Sequence, residues 1–326
     1  MKICIVGAGA IGGLLAARLA HAGHKVCAIA RGTHLAAIQA NGLRYRHGTE
    51  EFVAPVTASD DPATLGTQDY VVLTVKAPAL PALAPQLAPL FTPDTTLVTA
   101  MNGIPWWFSR ALPPPFRGHC LQAIDPGSLL ATSFPHDPVL GCVVHAGSTV
   151  PKPGFINHAA GHHFIIGSSS RTASPEATAF ADAITSSGLS GVTTDNIHSE
   201  IWMKLIGNLG MGPISVLTSA TLAGVARDPD ARPIAAAMMR EAMLVGDKLG
   251  LPMTMSIEER IDVGAELGKF KPSILQDLEL GRPMEIDTLI TVVSELGVLA
   301  EVPTPTIDTV LALVRGRARR AGLYQA

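Results

Sequence analysis

The sequence carries little charge. Asp, Glu, Lys and Arg make up 16% of its 326 residues, against 47% hydrophobic residues, which excludes a disordered chain held open by self-repulsion. The net charge of −3 supplies no positive field for gathering nucleic acid, so no nucleic-acid partner is expected. Mean hydropathy is +0.31, yet no apolar run reaches the ~18–20 residues of a membrane span, and no membrane partner is expected. Only four cysteines occur, Cys4, Cys27, Cys120 and Cys142, and none forms C-x-x-C, so a zinc ribbon or redox dithiol motif is excluded. Cys4 and Cys27 lie in strand-like apolar runs and read as buried thiols, a usage that fits a reducing compartment and hence the cytoplasm. No H-E-x-x-H occurs and His162-His163 lies in a strand-like segment, so no metal site is expected.

What is present begins as a βαβ unit. Residues 2–6 form an apolar run ending at glycine, residues 11–22 place Ile11, Leu14, Leu15 and Leu19 at helical spacing, and residues 25–30 form a second run. Lys2 followed by apolar residues has the start of a secretion signal, but glycines and Arg18 interrupt it, and strand–turn–helix is the better reading. The alternation continues with a helix at 36–40, a hairpin from 43–46 and 51–56, strands at 70–75, 95–100, 118–123, 141–146 and 164–167, and a polar loop at 168–175. After about residue 195 strand-like runs vanish, and helical patterns cover roughly 198–224, 230–250, 255–267, 285–300 and 305–320. The expectation is an α/β protein: an N-terminal Rossmann-type doubly wound sheet over 1–195 and an all-helical domain over 196–326. The arginines at 315–320 read as favourable charge at a helix C-terminus.

The chemistry-bearing residues start at Gly7-Ala8-Gly9-Ala10-Ile11-Gly12, a G-x-G-x-x-G between strand and helix. Gly7 permits the tight turn, Gly9 lets backbone approach a pyrophosphate, Gly12 lets the helix pack on the sheet, and the helix N-terminus offers free N–H groups. The second strand ends at Arg31, and no acid occurs between Gly12 and Glu50. A carboxylate there would repel a 2′-phosphate, whereas a guanidinium pairs with it, so the expected cofactor is NADPH. Lys76 and Asn102 each follow a strand at its carboxyl end, where ligands bind such sheets. In the helical half, Lys204 lies in an apolar stretch with Asn208 and Gly212 on the same helical face. A lysine so placed is paired, functional, or reaches along the surface to water. Pro272-Ser273 reads as a helix start, with Ser273 as N-cap and Gln276 in the capping-box position, and Glu285 as the start of another helix.

Taken together, these residues resemble the 2-dehydropantoate 2-reductase (ketopantoate reductase) family. The likeness covers nearly the whole chain. It rests on the glycine motif with Arg31, Val75-Lys76, Asn102-Gly103, Trp202-x-Lys204-x-x-x-Asn208, Ser273-x-x-Gln276-Asp277 and Glu285-Ile286-Asp287. The resemblance implies NADPH-dependent reduction of a small-molecule 2-keto acid to the 2-hydroxy acid, the pantothenate biosynthesis step in the type enzyme. It implies Lys204 as general acid, Asn102 touching nicotinamide and substrate, Lys76 and Glu285 on the cofactor side with Glu285 also orienting the lysine, Asn208 and Ser273 on the substrate, and Ala146 as a backbone contact to the cofactor. The family pattern expects asparagine at two further positions, where this chain has Gly212 and Leu222.

On this reading the helical half supplies the lysine, the sheet half supplies the cofactor, and the reaction belongs between them. The departures at 212 and 222 leave open an NADP-dependent dehydrogenase of the same fold with a different hydroxy or keto acid. A non-catalytic NADPH-sensing module is the remaining alternative. Trp106 and Trp107 suit either a pocket wall or a core. Amphipathic helices in the second half permit a homodimer.

Overall fold

The computed structural model describes residues 1–135 and 137–325. The chain divides into two compact units, Met1–Met101 with Leu130–Ile197, and Asn102–Leu129 with His198–Ala326.

The first unit opens with β1 (Lys2–Val6), α1 (Ala10–His21), β2 (Lys25–Ile29), α2 (Gly32–Asn41), β3 (Leu43–His47), β4 (Glu50–Ala54), β5 (Thr57–Ser59) and β6 (Tyr70–Leu73). It continues through the short α3 (Leu80–Leu83) and β7 (Thr96–Thr99). The chain returns by α4 (Leu129–Ser133) to β8 (Leu140–Lys152), β9 (Phe155–Ser168), α5 (Pro175–Ser186) and β10 (Ser190–Thr194). The ten strands form one sheet in the order β4-β3-β9-β8-β7-β6-β1-β2-β5, with β10 also on β9. Among the described residues only β3–β4 and β8–β9 pair antiparallel. The run β5-β2-β1-β6-β7-β8 is the expected doubly wound order, and it reverses direction between β1 and β6, where such sheets bind ligands.

Strand pleating puts Ile3 and Ile5 on one face with Val26, Ala28, Val72 and Val98, packed in one cluster with Leu14, Leu15 and Leu19 of α1 and Phe180 of α5. The alternate residues Cys4, Val6, Val71 and Leu73 are equally buried. Burial on both faces is why these strands are nearly continuous apolar runs. Cys4 and Cys27 are register partners, and both are buried free thiols. Helix α5 has no counterpart in the periodicity above. Its signal was local: Ser174 caps the Ala177 N–H and Pro175 occupies the first turn.

The second unit holds α6 (Ile197–Thr218), α7 (Leu222–Arg227), α8 (Ala231–Lys248), α9 (Ile257–Glu266), α10 (Ser273–Glu279), a π-helical segment (Asp287–Thr291), α11 (Val292–Leu299) and α12 (Pro305–Arg320). The single boundary expected at 195/196 requires correction. The cut falls after Ile197, and Asn102–Leu129 belongs to the helical unit. The strand expected at 118–123 is absent for a related reason. The Gln122 and Ala123 N–H groups donate to the Glu295 carboxylate of α11, at 2.7 and 2.8 Å, rather than to a neighbouring strand. Trp106 and Trp107 are buried in this unit, Trp107 meeting the His198 ring edge-on at 5.4 Å.

Three of the four arginines of α12 are engaged within the unit. Arg315 pairs with Asp287 at 3.3 Å, Arg317 donates to the last-turn carbonyl of Leu217, and Arg319 lies over the Tyr324 ring. Among the described residues, no helix is long and apolar enough to cross a membrane.

Candidate active site

In the sheet unit the glycine motif is held by close packing. Gly7 has φ +100°, and a Cβ there would lie 2.6 Å from Val75 Cγ1. At Gly12 a Cβ would lie 2.0 Å from the Gly7 carbonyl and 2.3 Å from Thr74 Oγ1. The Thr74 hydroxyl is shared between the carbonyls of Val6 and Gly7, at 3.0 and 2.8 Å. This tie fastens the turn to β6, and Lys76 follows two residues later. At Gly9, by contrast, a Cβ would meet nothing within 4 Å. Gly9 is also the N-cap of α1, with no side-chain cap and no acid in the first turn. The leading N–H groups of α1 therefore face open space, a cradle that fits a pyrophosphate.

His34 is a part of this loop that sequence reasoning missed. Its Nδ1 accepts from the Gly154 N–H at 3.0 Å, which leaves Nε2–H to donate to the Ala8 carbonyl at 2.7 Å. One imidazole thus joins the glycine loop to the β8–β9 turn. No motif announces it, because both partners are backbone atoms distant in sequence. Arg31 is exposed at the end of β2, as the N-cap of α2, and forms no ion pair among the described residues. Ala146 lies on β8 at an irregularity in the β8–β9 ladder, close to Gly161. Gly161 has φ +67°, and a Cβ there would lie 3.2 Å from Ala146 Cα.

In the helical unit, α6 organises the candidate residues. Successive helical residues are about 100° apart, so Gly207 lies about 60° to one side of Lys204, while Asn208 and Gly212 lie about 40° and 80° to the other. Each glycine admits a different neighbour. Arg260 of α9 lies against Gly207, and Ile274 of α10 lies against Gly212. Gly210, on the far side of the helix, takes Met239 of α8. Lys204 and Asn208 consequently occupy the strip between α9 and α10, and both are partly exposed, with buried Leu205, Ile206 and Leu209 between and beside them.

Ser273 is the first residue of α10; the N-cap is Pro272. The expected capping box is therefore corrected: Gln276 Nε2 donates to the Lys271 carbonyl, and Ser273 remains exposed with its hydroxyl uncommitted among the described residues. Glu285 is buried just ahead of the π-helical segment. The Ile104 N–H donates to the Thr288 carbonyl of that segment at 3.0 Å. Gly103, with φ +82°, sits so close that a Cβ would lie 2.3 Å from the same carbonyl. This docking brings Asn102 alongside the turn that carries Glu285. Asp287, from the same motif, is structural: it accepts from Tyr324, Thr291 and Arg315.

Each unit therefore assembles its own set. The sheet unit holds Gly7–Gly12, Arg31, Lys76 and Ala146; the helical unit holds Asn102, Lys204, Asn208, Ser273 and Glu285.

Comparison with known proteins matches residues 3–171 to the family described as ketopantoate reductase PanE/ApbA and residues 196–318 to its C-terminal family. A 2-dehydropantoate 2-reductase of Mesorhizobium japonicum is 47% identical over 325 residues, 99% of this chain and 100% of its own. A crystal structure of a candidate ketopantoate reductase from Ralstonia solanacearum superposes with a TM-score of 0.95 at 45% identity, covering 99% of each chain. A D-mandelate dehydrogenase in complex with NADH and anilino(oxo)acetate shares the fold, with a TM-score of 0.85 at 22% identity over 99% of this chain and 100% of its own.

Proposed function

The chain belongs to the ketopantoate reductase family, oxidoreductases that act on C=O and CH–OH groups, and we propose that it reduces a 2-keto acid of the 2-dehydropantoate type using NADPH, with Lys204 as proton donor. The observation that carries this reading is the strip on α6. Lys204 and Asn208 are the polar groups left partly open there, flanked by α9 on one side and the uncommitted Ser273 of α10 on the other.

The glycine loop and the N-terminus of α1 bind the cofactor's pyrophosphate. Arg31 pairs with the 2′-phosphate, and no carboxylate in the loop region opposes it. Lys76, Asn102, Glu285 and the Ala146 backbone hold the remainder, by resemblance to the family. When bound, the reduced nicotinamide supplies a hydride to the ketone carbon. As that bond forms, the ketone oxygen becomes negative; the Lys204 ammonium stabilises it and gives up a proton, leaving a neutral amine. Asn208 and Ser273 orient the substrate's polar groups through donors and acceptors that the protein itself leaves unused.

A specific observation supports a different keto acid as the second reading. At Gly212 a Cβ would already lie 3.2 Å from Ile274 Cγ2, and the Leu222 N–H is committed to the Phe270 carbonyl. The two positions where the family pattern has asparagine thus carry no hydrogen-bonding side chain here, which suits a substrate with a less polar tail.

The test is a panel of 2-keto acids assayed with NADPH and NADH side by side, on the wild type and Lys204→Ala. The variant is expected to lose about 10²–10⁴-fold in kcat while its NADPH Kd, read by fluorescence, stays unchanged. A fully active Lys204→Ala enzyme would remove the mechanism, and a wild type with a higher kcat/KM on another keto acid than on 2-dehydropantoate would select the second reading.

A further inference from the structure

Arg260 takes no part in the chemistry proposed for Lys204, yet its position is unusual for a surface arginine. Its guanidinium is stacked on the backbone of Gly207: a Cβ on that glycine would lie 1.9 Å from one terminal nitrogen and 2.3 Å from Cζ. Gly207 is one turn of α6 from Lys204 and adjacent to Asn208. The side chain is half-buried, and its Nε is wholly buried without a hydrogen-bond partner. Burial disfavours the charged form enough to pull its pKa below the usual arginine value.

Two carboxylates near it in the sequence are engaged elsewhere. Glu259, its neighbour on α9, is held by the N–H and hydroxyl of Ser256 in a capping box. Asp262 pairs with Arg232 at 3.0 Å. Among the described residues Arg260 forms no ion pair. A guanidinium kept half out of water without an anion is costly, and the cost is relieved when a carboxylate arrives. The fork geometry of guanidinium matches a carboxylate through two parallel hydrogen bonds.

We propose that Arg260 receives the carboxylate of the substrate, on the α9 side of the strip where Lys204 faces the ketone. The inference rests on the reading of that strip as the reaction site. It also supplies what Gly212 and Leu222 take away, a strong polar contact to the keto acid. Arg260 is thereby a specificity residue, setting the preference for acids over uncharged ketones. Nothing in the sequence marks it, since Ser-Ile-Glu-Glu-Arg reads as an ordinary capped helix start.

The experiment compares wild type, Arg260→Gln and Gly207→Ala on a 2-keto acid that the wild type reduces and on the corresponding 2-keto amide. Arg260→Gln is expected to raise KM for the acid about 30- to 100-fold, the range for a charge-assisted contact, with kcat within a few-fold, the amide's KM unchanged and the NADPH Kd unchanged. Gly207→Ala keeps the arginine but displaces its flexible end, and alanine favours the helix; it should reproduce the selective rise in KM for the acid. An unchanged KM for the acid in Arg260→Gln, or equal losses on acid and amide, would overturn the proposal. If the wild type itself reduced no 2-keto acid, the functional reading would fall and this inference with it; an active wild type with an indifferent Arg260→Gln sinks only the inference.

Discussion

Both units use glycine to build their own set of candidate residues, but for opposite purposes. In the sheet unit, Gly7 and Gly12 let the loop press onto β6 and α1, and Gly9 keeps the approach to the helix N-terminus clear. On the proposed reading the binding groups there are backbone N–H groups, so that set would be damaged by adding a side chain. In the helical unit, Gly207 and Gly212 let side chains of α9 and α10 come against α6. On the proposed reading the binding groups there are side chains, and that set would be damaged by removing one. A backbone site depends little on residue identity outside its glycines, whereas a side-chain site is easily retuned. On the proposed reading that contrast accounts for an intact glycine motif in a chain whose positions 212 and 222 depart from the family pattern.

The comparison can be broken most sharply at Gly12. Gly12→Ala forces a Cβ to within 2.0 Å of the Gly7 carbonyl and is expected to destabilise the sheet unit by about 1–3 kcal/mol. Cofactor binding should be lost with it. Gly9→Ala should leave the melting temperature unchanged while still weakening cofactor binding, because its Cβ would enter only the open cradle. Thermal melts with and without NADPH separate the two; equal melting temperatures would show that the packing around Gly12 is unimportant.

A smaller effect is expected from the one side chain assigned to the cofactor's phosphate. Arg31→Ala should raise the NADPH Kd about 10- to 100-fold and leave the NADH Kd nearly unchanged, measured by fluorescence titration. Equal changes for both cofactors would remove the 2′-phosphate contact.

The smallest effect concerns pH. Burial lowers the pKa values of His158 and His24, both in the sheet unit. Buried His158 accepts from the Tyr45 hydroxyl at Nδ1 and donates from Nε2 to the Gly161 carbonyl, so the neutral form is the one the fold binds. Below the ordinary value of about 6.5 the unfolded chain takes up protons that the folded chain refuses. Stability is therefore complete above that pH and falls as the pH drops beneath it. His158→Gln, which keeps one donor and one acceptor, should flatten the slope of melting temperature between about pH 6.5 and 5. An unaltered slope would assign the acid sensitivity elsewhere.

The parts of the molecule readable in one dimension share a cause. The βαβ start, the glycine loop, Arg31 and the pairing of Lys204 with Asn208 are local: strand, turn and helix periodicities are properties of a few adjacent residues. So was the Ser174-Pro175 cap of α5, although apolar periodicity alone does not mark that helix. Residues 118–123 read as a strand because their composition allowed one; a carboxylate 172 positions away from Ala123 took their N–H groups instead. By itself, then, the amino-acid sequence determined the fold class, the family and the short-range chemistry. Tertiary structure alone decided that residues 102–129 serve the helical unit, that His34 ties the glycine loop, and that Arg260 stands unpaired beside Gly207. Each of these depends on which distant group arrives to satisfy or expose a polar atom, and hydrogen bonding and desolvation are settled only once the chain has packed.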